Sequence, residues 1–109
     1  MTTDEGTKLF DAVVRAVEHD PSIGTARGFG ASGLKVGGKI FAMLMAGELV
    51  VKLPAARARQ LVGDGAASVF HSGAGRPMRE WVVVPATDAD HWIAVAEEAR
   101  AYVDPARPA

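Results

Sequence analysis

Lys39-Ile-Phe-Ala-Met-Leu-Met-Ala-Gly-Glu-Leu-Val-Val-Lys-Leu53 reads as two strands folded back on each other about Ala46-Gly47. Both arms are rich in β-branched and large apolar residues, which suit a pleated, half-buried surface. A two-residue connection sets Leu44 opposite Leu49, Ala42 opposite Val51 and Ile40 opposite Leu53, so these six side chains share the core face. The other face then carries Phe41, Met43, Met45 and Val50 beside Glu48 and Lys52. That face is too apolar for ordinary solvated surface unless the segment 24–33 covers it. Alanine suits a positive-φ turn position poorly, so a bulged connection that shifts the register is the alternative.

Working outward, Leu34-Lys35-Val36 is a second strand ending in the Gly37-Gly38 turn, and a short strand is expected over Thr25 to Phe29. Further upstream, Thr2-Thr3-Asp4-Glu5 resembles a capping box opening a helix from Thr3 to Glu18. Its apolar stripe is Leu9, Phe10, Val13, Ala16 and Val17, and Asp20-Pro21 stops it. Downstream, Pro54 suits the first position of a helix over Ala55 to Val62, with Leu61 and Val62 inward and Gly63 closing it. After the Asp64-Gly65 turn comes a short strand at Ser68-Val69-Phe70. The glycine-rich turn Ser72–Gly75 then leads into Arg76-Pro-Met-Arg-Glu-Trp-Val-Val-Val-Pro85. The strand there covers Arg79 to Val84, with Trp81 and Val83 on one side and Val82 and Val84 on the other. A last helix starts at Thr87, with Asp88 and Asp90 in its first turn. Trp92, Val95, Ala96, Ala99, Tyr102 and Val103 form its buried stripe, and Asp104-Pro105 ends it. The order is α-β-β-β-α-β-β-α, an α+β fold rather than a Rossmann pattern. One antiparallel sheet with the N- and C-terminal helices packed on one face is the expected architecture. Residues 1–109 form one domain, with 103–109 as a loose tail.

The chain of 109 residues is 49% hydrophobic, enough for a core without staples. It has no cysteine, which excludes disulfides and thiol chemistry and suits a reducing compartment. The N-terminus is acidic and lacks the regions of a signal peptide, and no apolar run is long enough to span a bilayer. A cytoplasmic protein without membrane attachment is expected. The net charge is −1, unevenly spread. Residues 1–20 and 86–109 each carry −3, and residues 21–85 carry +5.

Four motifs resemble the N-terminal domain of the TfoX family, itself related to the MmcQ/YjbR-like group. They are Arg27-Gly-Phe-Gly-Ala-Ser-Gly-Leu34, Gly38-Lys-Ile-Phe-Ala-Met-Leu44, Leu49-Val-Val-Lys-Leu-Pro54 and Gly75-Arg-Pro-Met-Arg-Glu-Trp81 with Val84-Pro85. The resemblance covers residues 8 to 103. In name-giving members the domain belongs to regulators of natural competence and precedes a second domain, which is expected to be absent from a chain that stops at Ala109. YjbR-like members are often described as DNA-binding, so the resemblance implies a regulatory or nucleic-acid role.

No motif assigns an activity. His19, His71 and His91 lack the spacing of metal ligands, and no serine sits in a G-x-S-x-G pattern. Gly28-Phe29-Gly30 and Ser72–Gly75 lack the helix and lysine of a P-loop and read as turns. Catalytic residues, metal ligands and cofactor-binding residues are therefore expected to be none. Trp92 is expected in the core, Trp81 there or on a stacking surface. The first functional reading is a non-enzymatic interaction domain that self-associates through Phe41, Met43, Met45 and Val50. The alternative is weak, sequence-independent DNA binding through Lys39, Lys52, Arg57, Arg76 and Arg79 lying near one another, with phosphate contacts supplying the affinity. A small-molecule binder or enzyme is a third, lesser reading.

Overall fold

The computed structural model describes residues 3–28 and 31–106. The elements are α1 (Thr3–Val17), β1 (Ile23–Gly28), β2 (Ala31–Val36), β3 (Lys39–Met45), β4 (Glu48–Lys52), α2 (Ala55–Gly63), β5 (Ser68–His71), β6 (Pro77–Val84) and α3 (Ala89–Val103). Four strands precede α2, one for each strand segment read from the sequence before Pro54, where the order α-β-β-β-α-β-β-α counts three. The expected first strand reached Phe29, which lies outside the described residues, as does the Thr2 cap of α1. One six-stranded sheet runs β1-β2-β3-β4-β6-β5, every neighbour antiparallel. After β4, α2 carries the chain to the edge strand β5, and β6 returns between the two.

The Ala46-Gly47 turn has two residues, with φ of 52° and 79°. It keeps the expected register, Leu44 opposite Leu49 and Ala42 opposite Val51. The irregularity falls inside β3 instead. Leu34 pairs with Ala42 and Lys35 with Ile40, which leaves Phe41 as an extra residue. A bulge interrupts the two-residue alternation of the strand. Phe41 and Ala42 therefore both turn into the core, fully buried, whereas Ile40 faces outward, 36% exposed. The sequence reading put Ile40 in the core and Phe41 on the opposite face, and the bulge reverses both.

The inward side is built in rows. Thr25, Leu34, Ala42, Val51, Val82 and Val69 form one row across all six strands. Ser32, Leu44, Leu49 and Val84 form the next. Phe10, Val13 and Val17 of α1, Ala58 and Leu61 of α2, and Trp92, Val95, Ala96 and Ala99 of α3 join the sheet residues in one cluster. All three helices thus pack on the same face. Trp92 is fully buried, and its indole N–H donates to the Pro85 carbonyl at 2.9 Å. That bond removes the penalty of an unpaired donor in the core.

The helix ends explain their own positions. Pro54 is the N-cap of α2 rather than its first helical residue, and its carbonyl accepts the Ala58 N–H at 2.9 Å. Asp88 caps α3, accepting the His91 backbone N–H at 2.8 Å. Val103 closes α3 and packs against the core. Pro105 then lies over the β2–β3 turn, where a Cβ on Gly37 would overlap its ring.

Candidate functional site

With the helices on one face, the opposite face of the sheet carries, among the described residues, strand side chains. Val50 lies between the core residues Leu49 and Val51, so alternation aims it outward. Its row crosses all six strands as Ala26, Gly33, Met43, Val50, Val83 and Ser68. Beside the row toward one end of the strands stand Lys35 and Ile40, which pair across β2 and β3, and Lys52 and Trp81, which pair across β4 and β6. Toward the other end stand Met45 and Glu48, also a cross-strand pair. Ile40 and Met45 are each 36% exposed.

Of the four residues expected to form a contact surface, two present it. Met45 is exposed and Met43 half-buried. Phe41 belongs to the core because of the bulge. Val50 is on the face but only 1% exposed, because a short side chain at the centre of a sheet sits below its longer neighbours. The described residues of the 24–33 segment do not cover this face; they belong to β1 and β2, which extend the sheet sideways. Ile40, Val83 and Trp81 complete the surface. The alternation of β6 already put Trp81 and Val83 together, but nothing local said that β6 adjoins β4.

The five candidate cations divide. Lys39 opens β3 and Lys52 closes β4, so the hairpin brings both to one end of the sheet. Pairing of Lys52 with Trp81 sets the start of β6 at that end as well, with exposed Arg76 in the turn before it. Ser72 holds that turn, its N–H donating to the Arg76 carbonyl at 2.8 Å and its Oγ accepting the Arg76 N–H at 3.2 Å. Arg79 is exposed on β6 and, with Lys52, Ala55, Met78, Glu80 and Trp81, lines an open concavity of about 500 Å³. Lys52 Nζ lies 3.9 Å from Glu80 Oε1, while Glu80 Oε2 accepts the Tyr102 hydroxyl at 2.8 Å.

Arg57 does not join them. On α2, in the helix layer, its Nε and Nη2 donate to the two oxygens of Glu98 at 2.8 and 3.1 Å. Its Nη1 donates to Gln60 Oε1 at 2.8 Å. The Glu98 hydrogen bonds raise the Arg57 pKa further above its ordinary value. An arginine held by both oxygens of a carboxylate has little left for a phosphate.

Elsewhere Arg100 bridges the helix ends, with Nη1 3.4 Å from Asp20 Oδ2 and 3.9 Å from Asp104 Oδ2. Among the described residues, no three His, Asp or Glu side chains gather as a metal site, and no helix is long and apolar enough to cross a membrane. Compared with protein-family models, with curated proteins and with solved structures, the chain matches none.

Proposed function

We propose that the chain is a non-enzymatic interaction domain, of the kind its motifs share with the TfoX N-terminal domain, and that it works by presenting the outer sheet face to a protein. One observation carries the reading. Half-buried Met43 and Val83, on either side of the covered Val50 and flanked by exposed Ile40 and Met45, face away from all three helices. A contiguous apolar patch of this kind marks a contact site more often than solvated surface. The cysteine-free composition suits a reducing compartment, and a cytoplasmic setting is part of the proposal. The test uses immobilised parent, an Ile40→Lys/Met45→Glu variant, and an Arg59→Glu control on the exposed side of α2, each exposed to an extract of the source cell. A protein held by the parent and the control but lost by the double variant supports the reading. Equal retention by all three removes the outer face from it.

A second reading, weak DNA binding, is favoured by Lys52 and Arg79 lining one concavity with Trp81, with Lys39 and Arg76 toward the same end of the sheet. It requires phosphate contacts, so binding must fall steeply as salt rises. A salt titration of the parent and of Arg76→Glu/Arg79→Glu against short DNA decides it. No binding at low salt and tens of micromolar protein leaves the first reading alone.

A further inference from the structure

The outer face is self-complementary, and we infer that its occupant is a second copy of this chain, stacked face to face with the strands antiparallel. The inference rests on reading that face as a contact surface. On β4, Glu48 and Lys52 lie two residues to either side of Val50 and point the same way. On β3, Met45 and Ile40 lie to either side of Met43, and the bulge at Phe41 is what aims Ile40 outward to match Met45. A two-fold axis along the Met43–Val50–Val83 row, perpendicular to the strands, turns each strand end for end above itself. Glu48 then faces the partner's Lys52, and Met45 faces the partner's Ile40. The apolar row meets its own copy, and Ala26 and Gly33 leave the β1–β2 side of the row low enough for a second sheet to approach at about 10 Å.

Charge selects this axis over its rival. An axis parallel to the strands would set Glu48 on the partner's Glu48 and Lys52 on the partner's Lys52, which repels. Within one chain, Glu48 and Lys52 are about 13 Å apart along the strand, too far to pair. Among the described residues Glu48 has no ion pair, and Lys52 holds only the long 3.9 Å contact with Glu80. Six strands averaging six residues make a face of roughly 24 by 20 Å, which suits a reversible dimer rather than a permanent one.

The experiment is sedimentation velocity over a concentration series, with far-ultraviolet circular dichroism confirming that each protein is folded. The parent is expected to dimerise reversibly. Glu48→Lys alone and Lys52→Glu alone each set two like-charged pairs across the interface and should weaken dimerisation about tenfold or more. An equimolar mixture of the two variants restores both attractive pairs and should recover dimer near the parent's level. Met45→Glu should also give monomer and serves if either charge variant does not fold. A parent that stays monomeric at millimolar concentration overturns the inference. So does a mixture no more dimeric than its components, which would set the copies in another orientation. If the parent is monomeric and the immobilised parent still captures a protein that the Ile40→Lys/Met45→Glu variant loses, the contact-face reading stands and only the second copy is eliminated.

Discussion

Gly6 of α1 lies against the backbone of Gly47, so closely that a methyl group at position 6 would overlap the Gly47 carbonyl oxygen. The first turns of α1 are therefore seated on the β3–β4 turn. Glycine inside a helix costs about 1 kcal/mol relative to alanine, so ordinary helix propensity argues against Gly6. The close approach makes it necessary. Gly6→Ala should destabilise the fold by about 1–3 kcal/mol, the usual cost of overpacking. Gly63→Ala, at the end of α2 with nothing within 4 Å of the added methyl, should instead stabilise by about 0.5–1 kcal/mol. Urea unfolding of both variants checks the pair. A stabilised Gly6→Ala would mean that α1 does not sit on the turn.

The bulge predicts opposite outcomes at adjacent positions. Phe41 is fully buried and Ile40 is 36% exposed. Phe41→Ala should cost about 3–5 kcal/mol, as large core truncations do, and Trp92→Ala about the same. Ile40→Ala should stay within about 0.5 kcal/mol in the monomer, as surface changes do. Equal losses at 40 and 41 in chemical denaturation would count against the bulge.

Ala46 has a φ of 52°, a left-handed conformation that costs a side chain with a Cβ about 1–2 kcal/mol. Asparagine tolerates that region better, and Asn-Gly is the preferred pair for a two-residue turn of this kind. Ala46→Asn should therefore raise stability by about 0.5–1 kcal/mol, read as a shift in denaturation midpoint with unchanged slope.

Asp20 accepts the Ser22 Oγ–H at 2.7 Å and the Ser22 N–H at 2.9 Å. The side-chain bond is the larger cause of its lowered pKa and the backbone bond the next, with Arg100 and His19 adding smaller Coulombic contributions. A folded pKa below the unfolded one contributes stability above the unfolded value, about 3.9 for a free Asp. That contribution disappears as pH falls through the folded pKa. Ser22→Ala should thus bring the Asp20 pKa back toward its ordinary value. The parent's advantage over this variant should be full at neutral pH and shrink below about pH 4. A carboxyl NMR titration of Asp20 in both proteins measures the shift directly.

Arg57 and Glu98 are about a third or more exposed, 35% and 41% at the side chain. Arg57→Ala should cost no more than about 1 kcal/mol, and less in high salt. It should also leave any DNA affinity close to the parent's, whereas Arg79→Ala should not. A gel-shift series at low salt compares the two. A larger loss with Arg57→Ala would mean that the ion pair opens to admit phosphate.

Local pattern was enough for most of the architecture. Helical spacing in Leu9–Val17 and Trp92–Val103, alternation in Leu49–Leu53 and Trp81–Val84, and glycine at positions 37 and 47 identify the elements and their inward sides, because period and turn chemistry act over a few residues. The alternation of the hairpin likewise set Met43, Met45 and Val50 on the side away from the core. Phe41, Ile40, Val50 and Arg57 needed the assembled molecule. A bulge depends on which register two strands adopt, so no feature of 39–45 announces that Phe41 turns inward. Val50 is shielded by neighbours from β3 and β6, and Arg57 meets Glu98 forty-one residues away. The insertion of β6 between β4 and β5 brings Trp81 beside Lys52, and that neighbour is chosen by long-range strand pairing, to which the local sequence is blind.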